Sequence, residues 1–214
     1  MGVQIRKLYQ PRHFSRAKVL PIFAKYFGYG LRRDVCAFGF EPNSIHTPTL
    51  ERLEERYTAA GYPVVVFTHT AISNASGVMT FFREPLADLT KHEFGSSLQK
   101  FRDNVIEEKA YVADFAQLLR DTLLKYQSEE SGRYVIAKMD IEAAEFSVLP
   151  SLLNDRLICL FDVIMVEYHL NRGPPGFRMK FLDSLRQLEH CKTIMMNLDD
   201  ETYNAGADNV PYPL

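Results

Sequence analysis

The sequence predicts an α/β fold with a mostly parallel sheet covered by helices on both faces. From Asp34 onward, short apolar runs alternate with amphipathic helical segments, which is typical of strand-helix-strand crossovers. The runs are continuously apolar, as expected for strands that are buried on both faces. Several runs end in acidic residues, and open α/β sheets bind their ligands beyond the carboxyl ends of the strands.

The first crossover unit is a strand over 35–40 followed by a helix over 47–61. The strand is apolar and runs directly into Glu41. Pro48 is typical of the first position of a helix, and Gly61 is typical of the residue that ends one. These signals place Glu41 at the carboxyl end of a strand that leads into a helix.

The rest of the chain repeats this pattern with two polar interruptions. Further strands are predicted over 64–67, 77–82, 134–139, 161–166 and 193–196, and further helices over 115–126, from 142 onward and over 181–188. The polar stretch over 83–103 predicts a surface or substrate-facing loop, because it is too long for a tight connection. A second polar stretch, over 128–132, precedes the strand that ends before Asp140.

Length and composition predict one domain with no membrane span. A chain of 214 residues that is 46% hydrophobic, with a net charge of −2, can bury one sizeable core. The predicted domain covers 1–214, with a basic segment over 1–33, a core over 34–170 and a C-terminal helix and strand over 171–214. No apolar run approaches the ~18 residues that a membrane-spanning helix needs, and no apolar signal region follows Met1. We therefore expect a soluble, cytoplasmic protein.

The cysteines and histidines indicate neither a disulfide framework nor a metal site. Cys36, Cys159 and Cys191 are odd in number and lie in apolar surroundings, which is typical of small buried thiols. The six histidines are scattered, and none lies at metal-ligand spacing from a second histidine or a cysteine. We therefore expect free thiols and no bound metal.

The segment before Asp34 carries eight basic residues and no acidic one. This composition is compatible with an organelle transit sequence, a nucleic-acid patch or the solvated face of a helix. Prolines and glycines interrupt any long amphipathic helix, and aromatic residues are not interleaved with the basic ones as in nucleic-acid-binding motifs. The solvated face is therefore favoured, organelle targeting stays open, and a nucleic-acid partner is not expected.

Glu41 has two interpretations that its position does not separate. A carboxylate at the end of this strand can accept hydrogen bonds from both ribose hydroxyls of a dinucleotide or adenosyl cofactor. The same carboxylate can instead cap the helix that starts beyond Pro42.

Four candidate catalytic residues follow two other predicted strands: Asp140 and Glu142, and then Glu167 and His169. Crowding of Asp140 and Glu142 raises the pKa of one carboxyl group, which suits a base that takes a proton from an alcohol. Alternatively, Glu142 only stabilises the positive amino end of a helix, by about 0.3–1 kcal/mol. His169 is a candidate general base near neutral pH with Glu167 as its orienting partner, or it is a packing residue.

Five segments, in this order and at these intervals, resemble the FkbM-type methyltransferase family. They are residues 37–43 (AFGFEPN), 71–73 (AIS) with the following Gly77, 96–98 (SSL), 138–145 (KMDIEAAE) and 167–169 (EYH). The resemblance spans about residues 35 to 169, and its strongest pieces are the Phe-Glu-Pro-Asn strand end and the Lys-x-Asp-x-Glu-x-x-Glu strand exit.

The resemblance implies a three-layer, Rossmann-like class I methyltransferase fold with S-adenosylmethionine as cofactor. It also implies methyl transfer to a hydroxyl oxygen of a carbohydrate or small-molecule acceptor. On that likeness the cofactor-binding residues are Glu41, Pro42, Asn43 and Ala71, and the residues around the acceptor are Asp140, Glu142, Glu167 and His169.

Two features depart from the family pattern. Ala143 stands where the family has glycine, which puts close backbone approach at that position in doubt. The chain also lacks the family's first strand and glycine-rich turn, with Gly2 at the position of the last glycine of that turn. Loss of that central strand would leave two rows of main-chain groups unpaired, at about 1–3 kcal/mol for each buried group. The alternative function is therefore a truncated or degenerate, non-catalytic binding module.

Overall fold

The structure is a computed structural model that describes residues 1–83, 97–100, 103–125, 133–200 and 212. In these residues the chain forms six α-helices and eight strands. The helices are α1 (Gly2–Tyr9), α2 (Leu20–Phe27), α3 (Thr47–Ala59), α4 (Phe115–Leu119), α5 (Glu145–Asn154) and α6 (Phe177–Arg186). The strands are β1 (Ala37–Glu41), β2 (Val64–Thr68), β3 (Thr70–Ser73), β4 (Gly77–Arg83), β5 (Ile106–Asp114), β6 (Ile136–Met139), β7 (Val163–Val166) and β8 (Ile194–Asn197).

The predicted α/β class is confirmed, with mostly parallel strand pairing. β1 pairs with β2, β6 with β7 and β7 with β8 in parallel, whereas β4 and β5 are antiparallel. The predicted loop over 83–103 lies largely outside the described residues, and the predicted break over 128–132 lies entirely outside them. Among the described residues, no helix is long and apolar enough to cross a bilayer.

The chain divides into two compact units, one of Met1–Thr70 with Leu198–Leu214 and the other of Ala71–Asn197. This division does not test the single domain over 1–214, which stays a prediction.

In the first unit, the predicted strand-helix crossover forms as β1, α3 and β2. Helix α3 buries Leu50, Leu53 and Tyr57, which recur at the three- and four-residue spacing of one helix face. Helix α1 lies against α3, and the Met1 side chain fills the space that a Cβ at Gly39 of β1 would occupy. A glycine in β1 therefore permits close packing of the chain start.

The prediction that the basic segment forms a solvated helix face is wrong for three of its eight basic residues. Arg6, Lys7 and Arg32 are buried, and each has a partner that compensates its charge or its donors. Lys7 pairs with Asp200, Arg32 donates to the backbone oxygens of Leu8 and Gly28, and Arg6 stacks on the Tyr212 ring at 4.5 Å. Buried cations of this kind need such partners, so these residues have a structural role in the first unit.

In the second unit, β6, β7 and β8 form a parallel sheet in that order. β7 is buried along its whole length, as expected for the central strand of a sheet covered on both faces. Because β6 and β7 run in parallel, the residues that follow them emerge at the same edge of the sheet. Asp140 follows β6, and His169 lies three residues beyond β7.

Strand β5 is the longest strand and was absent from the sequence interpretation. It contains Glu107, Glu108 and Lys109. Because Glu and Lys are depleted in β-strands, the composition of this segment did not indicate a strand. Its signal is the alternation of buried Ala110 and Val112 with the exposed Tyr111 between them, which is the two-residue period of a half-buried strand.

Both parallel sheets have an edge with no strand partner among the described residues. In the part of the chain that the structure describes, β1 is hydrogen-bonded only to β2, and β6 only to β7.

The expectation of three free buried thiols is wrong. Cys159 and Cys191 form a disulfide with a Cα–Cα distance of 5.0 Å, and Cys36 is exposed. Cys159 lies in the connection that leads into β7, and Cys191 lies in the connection that leads into β8. Since β7 and β8 are parallel neighbours, both connections reach the same edge of the sheet. The pairing therefore follows from the sheet order, which the 32-residue separation of the two cysteines did not indicate.

Candidate functional site

The candidate site lies beyond the carboxyl ends of β6 and β7, within the second unit. Here the structure brings together Asp140, Glu142 and His169, three of the four candidate catalytic residues. One potential ligand atom from each lies within 4.8 Å of those of the other two. Two of the predicted acids, Asp140 and Glu142, therefore lie together with His169 at this edge of the sheet. Glu145 and Arg172 complete the site.

The turn between β6 and α5 determines where Glu142 lies. Glu142 and Ala143 have φ angles of +52° and +79°, in the left-handed region that non-glycine residues rarely adopt. Ser97 is buried, and its hydroxyl donates to the backbone oxygen of Glu142 at 2.8 Å. Because these residues form a turn, α5 begins only at Glu145, three residues later than predicted.

His169 is held by Glu145, a carboxylate that is fully buried. Its backbone N–H donates to Oε1 of Glu145 at 2.8 Å, and its Nδ1 lies 3.1 Å from the same oxygen. This arrangement turns Nε2 toward the other two acids, at 3.4 Å from Oε2 of Glu142 and 3.7 Å from Oδ1 of Asp140. The ring orientation is therefore determined by a hydrogen bond to a buried carboxylate.

Arg172 forms an ion pair with Glu142, through the same Oε2 that faces His169. It comes from the loop over 171–176, which the sequence predicted as a loop without assigning it a role. The site therefore contains three carboxylates, one guanidinium and one imidazole. Asp140 is its most exposed member, with 44% of the side-chain surface accessible.

The carboxyl group of Glu167 lies next to a lysine. Its Oε2 lies 3.3 Å from Nζ of Lys138 on the neighbouring strand β6, and the orienting carboxylate is Glu145. The helix predicted from 142 onward contains Glu145 near its start, where a carboxylate stabilises the positive helix end. No sequence signal paired it with His169, because the two residues are 24 positions apart in the chain and meet only in the tertiary structure.

The charges of the site shift two pKa values in opposite directions. Burial alone would lower the pKa of His169, but hydrogen bonds to Glu142 and Glu145 and the charges of both raise it to about 10. Burial would raise the pKa of Glu142, but its interactions with His169 and Arg172 outweigh burial and lower it. At neutral pH His169 is therefore an imidazolium in this arrangement. A protonated ring cannot act as a general base, so Asp140 is the better candidate for that role.

The predicted cofactor-binding residues are mostly engaged in local structure. Oε1 of Glu41 accepts from the backbone N–H of Asn43 at 3.0 Å, and Oδ1 of Asn43 accepts from that of Ile45 at 3.1 Å. The Glu41 carboxylate and the Asn43 amide thus both cap the turn that leads to α3. For Glu41, this contact agrees with the interpretation that its carboxylate caps the segment beyond Pro42. Pro42 lies between them at intermediate exposure, and Ala71 is buried in β3 of the second unit.

We expect Ala143→Gly to leave the free energy of unfolding within about 0.5 kcal/mol of the wild-type value, because relief of left-handed strain offsets the loss of a buried methyl group. The matched control is Ala110→Gly in β5, which is equally buried but extended. It should lose about 1–2 kcal/mol, since nothing offsets the lost methyl and the added backbone freedom. Urea denaturation of both variants measures the difference, and equal losses would contradict the strained turn.

Comparisons with known proteins identify no relative. No family model, no curated protein and no solved structure significantly matches this chain. The likeness to FkbM-type methyltransferases therefore rests on the five short segments alone.

Proposed function

We propose that this chain is an S-adenosylmethionine-dependent methyltransferase that transfers a methyl group to a hydroxyl oxygen of a carbohydrate or small molecule. The observation that carries the proposal is the cluster of Asp140, Glu142 and His169 beyond two neighbouring parallel strands. These residues come from the two segments of the family resemblance that follow β6 and β7. Their proximity in space supports a common role that the sequence spacing alone does not require.

The cluster has the groups that an acceptor hydroxyl requires. Methyl transfer to an alcohol needs the oxygen held in line with the methyl donor and a group that takes its proton. Asp140 is accessible and can accept that proton. His169 and Arg172 are cations that can stabilise developing negative charge on the acceptor oxygen.

Glu41 fits the ribose part of the cofactor. Its Oε1 accepts one hydrogen bond from Asn43, but a carboxylate has about four acceptor positions, so both oxygens can still receive hydroxyl donors. Pro42 and Asn43 would form the turn that supports Glu41 and would not contact the cofactor directly, since Asn43 is only 2% exposed. When bound, S-adenosylmethionine would supply an electrophilic methyl group on a sulfonium.

The edges of β1 and β6, which have no strand partner in the described part of the chain, favour the second candidate function, a degenerate, non-catalytic binding module. In a class I methyltransferase the first strand and its glycine-rich turn hold the cofactor. Among the described residues no strand occupies either edge. A chain that keeps the acid cluster but not the cofactor pocket would bind an acceptor-like ligand without turnover.

Calorimetric titration of S-adenosylmethionine into the purified full chain separates the two candidates. The methyltransferase should bind one equivalent, and Glu41→Gln should weaken that binding because the amide loses acceptor capacity. Glu189→Gln, at an exposed acidic position between α6 and β8 of the second unit, is the control and should bind as the wild type does. Absence of binding heat with the wild-type chain would instead support the degenerate module.

If the cofactor binds, transfer of a radiolabelled methyl group to a panel of sugars and small alcohols tests the catalytic assignment. We expect Asp140→Ala to bind the cofactor normally and to lose turnover. Unchanged turnover in a variant that binds the cofactor would show that Asp140 has no catalytic role.

A further inference from the structure

We propose that Asp140, Glu142 and His169 bind one divalent first-row transition-metal cation through one carboxylate oxygen from each acid and Nε2 of the imidazole. The sequence did not indicate such a site, because its ligands follow two different strands and include a single histidine. The proposal stands on the geometry of these three side chains and of Glu145, which holds the histidine ring.

The distances between ligand atoms suit a shared cation. Metal-ligand bonds of about 2.0–2.2 Å place neighbouring ligands about 3–4 Å apart. Nε2 lies 3.4 Å from Oε2 of Glu142 and 3.7 Å from Oδ1 of Asp140, and all three ligand atoms lie within 4.8 Å of one another. Asp140 is the exposed member, so rotation of its side chain can close the remaining distance.

Glu145 supplies the second observation. Histidine ligands usually donate their other ring N–H to a carboxylate, which determines the tautomer and aims the coordinating nitrogen. Oε1 of Glu145 lies 3.1 Å from Nδ1 of His169, which leaves Nε2 as the coordinating atom. Glu145 has no exposed side-chain surface, and its Oε2 has no hydrogen-bond partner among the described residues. Without metal, the imidazolium of His169 supplies the positive charge that this buried carboxylate needs. A bound cation would replace the proton on Nε2 and keep a positive charge at that position.

The donor set indicates the class of metal. Two carboxylates favour hard cations, whereas an imidazole favours first-row transition metals over Mg²⁺ and Ca²⁺. Mn²⁺ accepts both kinds of donor and is the appropriate probe. Arg172 shares Oε2 of Glu142 with the site, so its guanidinium must share or release that oxygen when the cation binds.

Three protein ligands leave coordination positions open on the accessible side, next to Asp140. An oxygen of the acceptor can occupy one of them, and a metal-bound hydroxyl loses its proton more easily. This role in the reaction rests on the proposed function, whereas binding of the cation does not. The test therefore measures the metal alone, without cofactor or acceptor, so its failure is distinguishable from failure to bind S-adenosylmethionine.

The experiment titrates Mn²⁺ into the untagged, chelator-treated full chain and follows the electron paramagnetic resonance signal of free Mn²⁺. We expect one bound Mn²⁺ per chain and a rise in the thermal midpoint with Mn²⁺ concentration. Asp140→Asn should abolish stoichiometric binding, and because the side chain is exposed the variant should fold. Asp183→Asn, at an exposed acid in α6, is the matched control and should bind as the wild type does.

Glu145→Gln tests the positioning role separately. It should weaken Mn²⁺ binding by about 10–100-fold, with a circular dichroism spectrum that matches the wild type. Absence of stoichiometric Mn²⁺ binding to the wild-type chain, or undiminished binding by Asp140→Asn, would overturn the proposal.

Discussion

Replacing Asp200 by asparagine is expected to lower the free energy of unfolding by about 3–5 kcal/mol, the typical loss when one partner of a buried ion pair is removed. Lys7 and Asp200 have no exposed side-chain surface, and Nζ lies 2.9 Å from Oδ2. Nζ also donates to the backbone oxygen of Asp200 at 3.2 Å, and Oδ1 accepts from the backbone N–H of Lys18 at 3.0 Å. The asparagine would leave an ammonium buried without its counter-charge.

Urea denaturation with and without the substitution measures this loss. Asp183→Asn is the control, because Asp183 pairs with Arg186 on an exposed surface of α6, where such pairs contribute little. The double variant Lys7→Met with Asp200→Leu should recover much of the loss, since replacing both partners by apolar residues removes the uncompensated charge. A loss at Asp200 no larger than the loss at Asp183 would contradict the buried pair.

Removing the disulfide between Cys159 and Cys191 is expected to lower the free energy of unfolding by about 3–4 kcal/mol, because a cross-link over this separation restricts the unfolded chain. The double variant Cys159→Ala with Cys191→Ala measures the loss in urea against the oxidised wild-type chain. Cys36→Ala is the control and should change little, since Cys36 is exposed and free. Reduction of the wild-type chain should reproduce the loss without any substitution.

Thiol titration of the denatured protein tests whether the disulfide forms. One reactive thiol per oxidised chain is expected, and three would show that the disulfide does not form. The measurement also bears on the predicted cytoplasmic location, which stays a prediction. Disulfides persist in oxidising compartments and are rare in the reducing cytosol, so the redox state of the protein isolated from its cell distinguishes the two environments.

Local patterns predicted those parts of the structure that depend on neighbours in the chain. The apolar spacing of Leu50, Leu53 and Tyr57 predicted the buried face of α3, and the continuous apolar runs predicted β6 and β7. The acids after those runs predicted where the candidate site lies. Strand β5 was not predicted, because its charged residues interrupt the alternation of apolar and polar side chains. Its buried positions nevertheless recur at every second residue.

By itself, therefore, the sequence determined the α/β class, most of the strands and helices, and the edge at which Asp140, Glu142 and His169 lie. Periodicity carries this information, because a helix or strand repeats its environment within a few residues. Only the tertiary structure decided that Glu145 holds His169, that Lys7 is buried against Asp200, and that Cys159 pairs with Cys191. Each of these pairs joins residues 24 to 193 positions apart, and such contacts depend on strand order and helix packing, which no local pattern encodes.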